Sequence, residues 1–239
     1  MQYDGSAIIC LAPDLSDSAR DLHQKRVNLD EGNKSVKHTG SATQIGDKLG
    51  FLDDPFAPPP KRTITLQGVP IGKLDAKFTG KNCRLIIMGH GSNNAKYIHI
   101  GQKPRVDMTV DQLAGHINTW LGGKKIKRIS LHMCFGAGIR EGGASEEDGQ
   151  QYDEIKPQDS FAFHLAKKVS HLTEEISART DLVRTVVEDK KIMRKVGPKH
   201  KLRHQEEGDK LVFYTQGNNQ DPKIMKTWKD GKERKSSDY

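Results

Sequence analysis

Short aliphatic runs bounded by glycine or polar residues alternate along this chain with stretches whose apolar positions recur every three or four residues. Ser6–Leu11 is the first run and reads as a strand. Asp14-Leu15-Ser16-Asp17 then supplies N-caps for a helix passing through Ala19 and Leu22 towards Lys25-Arg26. Thr63-Ile64-Thr65-Leu66 predicts an edge strand, and Arg84-Leu85-Ile86-Ile87-Met88-Gly89 a buried one. Thr109-Val110-Asp111-Gln112 has the layout of a capping box, and Leu113, Ile117, Trp120 and Leu121 form the apolar stripe of the helix it starts. Gly122-Gly123 stops that helix, and Lys127–Met133 is the next buried strand. Phe161, Phe163, Leu165, Ala166 and Val169 mark another amphipathic helix, and Glu175 to Thr215 alternates in the manner of strands, ending in Leu211–Tyr214. Strands separated by helices predict an α/β fold with a mostly parallel central sheet flanked by helices.

Between these elements the pattern is polar. Residues 28–61 are rich in Gly, Ser and Asp and close on Pro58-Pro59-Pro60, which predicts a flexible insertion. A polar loop is expected from Ser92 through Lys103-Pro104-Arg105. A mobile loop rich in Gly, Glu and Asp is expected from Gly136 to Pro157. The reading is one domain over 1–215 and a polar, frayed tail over 216–239.

Two of the buried strands end in residues suited to acyl transfer. One delivers His90-Gly91 and the other Cys134. Parallel neighbours open their C-terminal ends at the same sheet edge, where sites form in open α/β folds. There Cys134 would attack as thiolate and His90 would carry protons to and from the leaving group. The N–H groups of Gly91 and Cys134 would cradle the oxyanion. A single cysteine at a strand end is ordinarily core, and that reading holds for Cys10 and Cys83, which lack such a partner. The His-Gly at the neighbouring strand end separates Cys134 from them.

Charge adds a partner class. The chain carries a formal net charge of +8, with hydrophobic residues at 34% and charged residues at 29%. The densest basic region is Lys190-Lys191, Arg194-Lys195, Lys199-His200-Lys201 and Arg203-His204, with almost no aromatic residues interleaved. Single-strand nucleic-acid binders supply aromatic stacking platforms, so this composition argues against nucleic acid. It suits a compact polyphosphate, although such a run can also be merely a solvated hairpin. No apolar run is long enough to span a membrane, and Met1-Gln2-Tyr3-Asp4 does not have a signal layout. Three cysteines do not suggest a disulfide framework.

Other motifs fall away. Gly68 to Lys73 lacks phosphate-loop spacing, and Gly89-His90-Gly91-Ser92-Asn93 is not a serine nucleophile elbow. His200 and His204 stand four apart, but Gly197-Pro198 and surrounding cations argue against a metal site, so none is expected.

The order strand-His-Gly, capped helix, strand-Cys is similar to the caspase-like clan of cysteine peptidases. More closely, the chain resembles the autoprocessing cysteine protease domain of multifunctional RTX toxins and large clostridial glucosylating toxins. The resemblance runs from Tyr3–Ile9 through Asp209–Val212. Its main pieces are Ile87-Met88-Gly89-His90-Gly91 and Ile129–Cys134, supported by Thr109–Leu113 and Ser160–Leu165.

It implies a caspase-like fold with a C-terminal β-hairpin flap and a peptidase that cuts after leucine. It further implies activation by inositol hexakisphosphate and delivery by a bacterium into a host cytosol. The phosphate-binding cations it implies are Lys25, Arg26, Arg84, Arg194, Lys195, Arg203 and Lys210. The substrate would be a protein or peptide, either another protein or this chain itself. One departure is Met133, where the family has glycine before the nucleophile. It leaves open a narrowed site, or a catalytically silent module that only senses inositol phosphate. A second departure is the closeness of Met1 to the first strand, which leaves little upstream chain to cut in cis.

Overall fold

The structure is a computed structural model of the 239-residue chain. It describes residues 3–12, 15, 19, 64–65, 72–74, 78–92, 95–102, 105–139, 153–180, 183–185, 204–206, 210–229 and 232–235. In chain order the elements are β1 (Gly5–Cys10), β2 (Ile64–Thr65), β3 (Cys83–Met88), β4 (His90–Gly91), β5 (Ile98–Gln102), β6 (Arg105–Met108) and α1 (Val110–Leu121). There follow β7 (Ile126–His132), α2 (Phe161–Lys168), β8 (Thr173–Arg179), β9 (Val183–Thr185), β10 (His204–Glu206), β11 (Lys210–Tyr214), β12 (Lys223–Lys229) and β13 (Lys232–Lys235).

The central sheet has the order β13-β12-β11-β8-β7-β3-β1-β2. Strands β2, β1, β3, β7 and β8 are parallel, and β11, β12 and β13 continue the sheet antiparallel. This is the mixed α/β architecture expected. The order reverses between β1 and β3, and sites in open parallel sheets form at such a switch point, beyond the C-terminal strand ends.

Parallel strands covered on both faces read as unbroken apolar runs, which explains Leu85–Met88, all buried. One face, with Leu85, Ile87, Ile129, Leu131, Ile176, Leu211 and Phe213, packs against α1 and α2 in the main core. The stripe of α1 is fully covered there, with Leu113, Ile117, Trp120 and Leu121 at no more than 1% exposure. Each such side chain contributes about 1.5–3 kcal/mol. The capping box forms: Thr109 Oγ1 accepts from Gln112 N–H at 3.3 Å, and Gln112 Oε1 accepts from Thr109 N–H at 2.8 Å. Gly122 ends the helix in the left-handed region at φ 57°.

On the opposite face, Ile8, Cys10, Ile86 and Met88 pack with Leu15 and Ala19. Farther across the sheet that same face turns polar. By alternation it carries Arg128, Ser130 and His132, then Glu175, Ser177 and Arg179, then Lys210 and Tyr214.

Several expectations change. The polar loop after His90 contains a three-stranded antiparallel sheet, β4-β5-β6, because Ile98 and Met108 drop into the main core and Ile100 packs against it. The tail from Gln216 is not frayed throughout. It carries β12 and β13, which continue the central sheet by backbone pairing as far as Lys235, with Ile224 packed against the main core. The Gly136–Pro157 segment is tied at its ends by an antiparallel bridge between Ile139 and Ile155, with N–H···O distances of 2.9 Å both ways. The insertion at 28–61 lies outside the described residues.

Candidate active site

Strands β3 and β7 are parallel neighbours in the register Met88↔His132. His90 and Cys134 each lie two residues beyond that pair, so the two chain segments emerge side by side at the C-terminal edge. The Gly89 N–H donates to the His132 carbonyl at 3.2 Å and extends the pairing past both strands. Next comes close backbone contact. A Cβ built on Gly91 would overlap the Cys134 carbonyl oxygen outright and lie 2.6 Å from its carbonyl carbon, so only glycine fits beside the nucleophile candidate.

Local turns hold both segments. Ser92 is buried, and its Oγ accepts from the N–H groups of Lys96 and Tyr97 at 3.1 Å, closing the turn between β4 and β5. After Cys134 the chain reverses through Phe135, which adopts φ 54°. Such a left-handed conformation is uncommon for a bulky residue and persists where surrounding structure enforces it. Here the enforcing bonds are Ala137 N–H to the Arg179 carbonyl at 2.8 Å and Ala162 N–H to the Gly136 carbonyl at 2.9 Å. The second of these sets the start of α2 against the turn.

The three thiols differ in setting. Cys10 is fully covered and its Sγ donates to the Ala12 carbonyl at 3.2 Å. Cys83 is 3% exposed, and burial pushes its thiol pKa up. Cys134 is half-buried, as is His90. Met133, immediately before Cys134, is 1% exposed and sits in the main core, where a Cβ on Gly136 would approach its Cγ to 2.9 Å. It does not face the strand-end opening, because alternation places it on the helix-covered side.

Among the expected phosphate-binding cations, Arg84 and Lys210 are described, whereas Lys25, Arg26, Arg194, Lys195 and Arg203 lie outside the described residues. Lys210 lines a small polar recess of about 20 Å³ with His132, Arg179, Ser130 and Ser177. The cross-sheet registers explain the grouping: Lys210 pairs with Arg179, and Ser177 with Ser130, whose hydroxyls bond at 3.2 Å. Arg84 is not brought there. It lies four residues before Met88 on β3, roughly 13 Å back along the strand, and its guanidinium stacks on Tyr3 at 4.6 Å from the ring centre. Beside it, Arg128 is held by buried Glu175 at 2.6 Å. Burial alone would lower the Arg128 pKa, but the Glu175 hydrogen bond and charge raise it above its usual value.

Sequence reasoning missed four residues at this edge. His132 and Arg179 join Lys210 only through strand register. His99 and Asp107 come next to His90 only through the β4-β5-β6 sheet. The alternation Ile98-His99-Ile100 was the one signal for that strand.

Among the described residues, no cluster of three or more His, Cys, Asp or Glu side chains is arranged to hold a metal, and no helix is long and apolar enough to cross a membrane. No protein-family model matches the chain, and no curated protein matches it significantly.

Proposed function

We propose that the chain is a caspase-like cysteine endopeptidase of bacterial toxin or effector type, activated by inositol hexakisphosphate and cutting a protein or peptide after leucine. The observation that carries this reading is the Met88↔His132 register, continued two residues on each strand, with Gly91 packed on the Cys134 backbone. Cys134 thiolate attacks the scissile carbonyl carbon, and the N–H groups of Gly91 and Cys134 stabilise the oxyanion. The C–N bond breaks as His90 gives a proton to the departing amine, leaving a thioester. Water then attacks the thioester while His90 takes its proton, and the Cys134 thiolate departs.

The recess itself has room for only about one water, but the nitrogen groups of Arg179, Lys210 and His132 around it suit phosphate oxygens at its mouth. Lys210 and Arg179 would hold the activator there, and the antiparallel pair β9-β10 would be the base of the flap. The cations expected at Lys25, Arg26, Arg194, Lys195 and Arg203 would complete the site. The activator can shift the protein to its active state only by binding that state more tightly. Because Met133 is a core residue, the silent-sensor reading loses the feature that favoured it.

The test is incubation with a leucine-containing peptide library, with and without inositol hexakisphosphate, beside Cys134→Ala. Cleavage requiring both activator and Cys134 is expected. Stabilisation by the activator with no cleavage would instead make the chain a sensor.

A further inference from the structure

The small sheet after β3 places a second histidine and a carboxylate in line with His90. Register pairs His90 with His99 and His99 with Asp107, so the three side chains share one face of β4-β5-β6. The other face carries Gly91, Ile98 and Met108, with Ile98 and Met108 in the main core. Directly opposed residues of an antiparallel pair have Cβ atoms about 4.5–5.5 Å apart, which puts the His90 and His99 rings within reach of each other. His99 Nδ1 lies 2.6 Å from Asp107 Oδ1. The His99 side chain is 7% exposed, while that of Asp107 is 40% exposed.

A buried histidine held this closely by a carboxylate is a device for fixing a ring, and the ring it faces is the proposed base. We propose that His99, held by Asp107, is a positioning residue that fixes the orientation and tautomer of His90. The inference rests on the peptidase reading only for its effect on rate. The Asp107 carboxylate lies within ion-pair distance of His99 Nδ1 without the alignment of an N–H···O hydrogen bond; its charge favours the proton on that nitrogen, which leaves His99 Nε2 as an acceptor at the opposite edge of the ring. That lone pair accepts an N–H from His90, so the other His90 nitrogen is presented without a proton towards the thiol and leaving group. When His90 becomes an imidazolium during the reaction, His99 and the adjacent Asp107 carboxylate stabilise it, in the manner of the aspartate of a serine-protease triad but with a partly exposed carboxylate.

The test compares wild type with Asp107→Asn, His99→Ala and His99→Gln, by peptide kinetics and by ¹⁵N NMR of the His90 ring above the imidazole titration range. Asp107→Asn is isosteric and reverses the proton on His99 Nδ1, so Nε2 becomes a donor. It should shift the His90 ring-nitrogen resonances and lower kcat by about tenfold or more, within the roughly 10⁴-fold that a wrong histidine tautomer costs a triad, with KM little changed. His99→Ala should do the same, and His99→Gln, whose amide keeps an acceptor, should recover part of the loss. Unchanged His90 resonances together with unchanged kcat in folded Asp107→Asn and His99→Gln would overturn the proposal. If wild type cleaves nothing, the peptidase reading fails separately, and the His90 resonances still decide the coupling: shifted in Asp107→Asn supports it, unshifted overturns it.

Discussion

A thiol becomes a nucleophile through its surroundings, and the three cysteines of this chain are an internal comparison. Cys134 is half-buried beside a histidine-bearing strand end, Cys10 is covered completely, and burial raises the Cys83 pKa. Iodoacetamide should therefore label Cys134 well before Cys10 or Cys83 in the native protein. Peptide mass spectrometry after a short exposure reads this, and equal labelling would remove the nucleophile assignment. Gly91 provides the second check. Adding a methyl group against the Cys134 carbonyl forces backbone movement, so Gly91→Ala should cost about 1–3 kcal/mol of stability and remove most cleavage. Urea unfolding measures the first effect and peptide hydrolysis the second; a fully active, fully stable variant would contradict the close approach.

Strand pairs and helix faces carry their own predictions. Strands β7 and β8 are joined by main-chain pairing and by ion pairs, half-buried Lys127–Glu174 and more deeply buried Arg128–Glu175. Removing one partner of a buried pair leaves an uncompensated charge, so Glu175→Ala should lose about 3–5 kcal/mol in urea unfolding. Lys127→Ala should lose under about 1 kcal/mol. On α1, His116 stacks on Trp120 with ring centres 5.9 Å apart, and burial lowers its pKa below 6.5. A histidine with a lowered folded pKa binds fewer protons folded than unfolded, so its contribution is complete above the unfolded value and is lost as pH falls through the lowered one. The stability of wild type should therefore decline as the solution is acidified below about the ordinary histidine pKa. His116→Gln should flatten that part of the curve, and identical slopes in thermal melts would contradict it.

For the whole molecule, the functional claim is that a polar sheet face remote from the helices controls an edge built on β3 and β7. Cys134 lies two residues past the end of β7, and β7 also contributes His132 to the recess shared with Arg179 and Lys210, so a ligand there bears on the strand that leads to the proposed nucleophile. Replacing Arg179 and Lys210 by alanine should raise the inositol hexakisphosphate concentration needed for half-activation about tenfold or more, for a loss of over 1.4 kcal/mol. The rate at saturating activator should change much less. A dose-response series reads this, and an unmoved midpoint would exclude the recess. Short duplex DNA in place of the activator separates specific polyphosphate binding from general attraction to a chain of +8, which should weaken steeply with salt.

Periodicity sufficed for β1, β3, β7, α1 and α2, because each buries a face wide enough to leave a pattern in the residue order. Gly122 and the Thr109–Gln112 box marked the ends of α1 for equally local reasons. His90 and Cys134 were legible as strand-end residues, and the expectation that their strands are neighbours needed only the rule for parallel crossovers. What the order of residues did not contain was register. The β4-β5-β6 sheet, the tail hairpin β12-β13, the recess of His132, Arg179 and Lys210, and the His90–His99–Asp107 row all depend on which backbone groups pair across the sheet. That pairing is set by long-range hydrogen bonding and by Ile98 and Met108 finding the core, so polar residues with no periodic signature are carried into place by their neighbours. Met133 shows the same limit from the other side. In sequence it stands beside the proposed nucleophile, and only the alternation continued from β7 in three dimensions turns it into the core and away from the site.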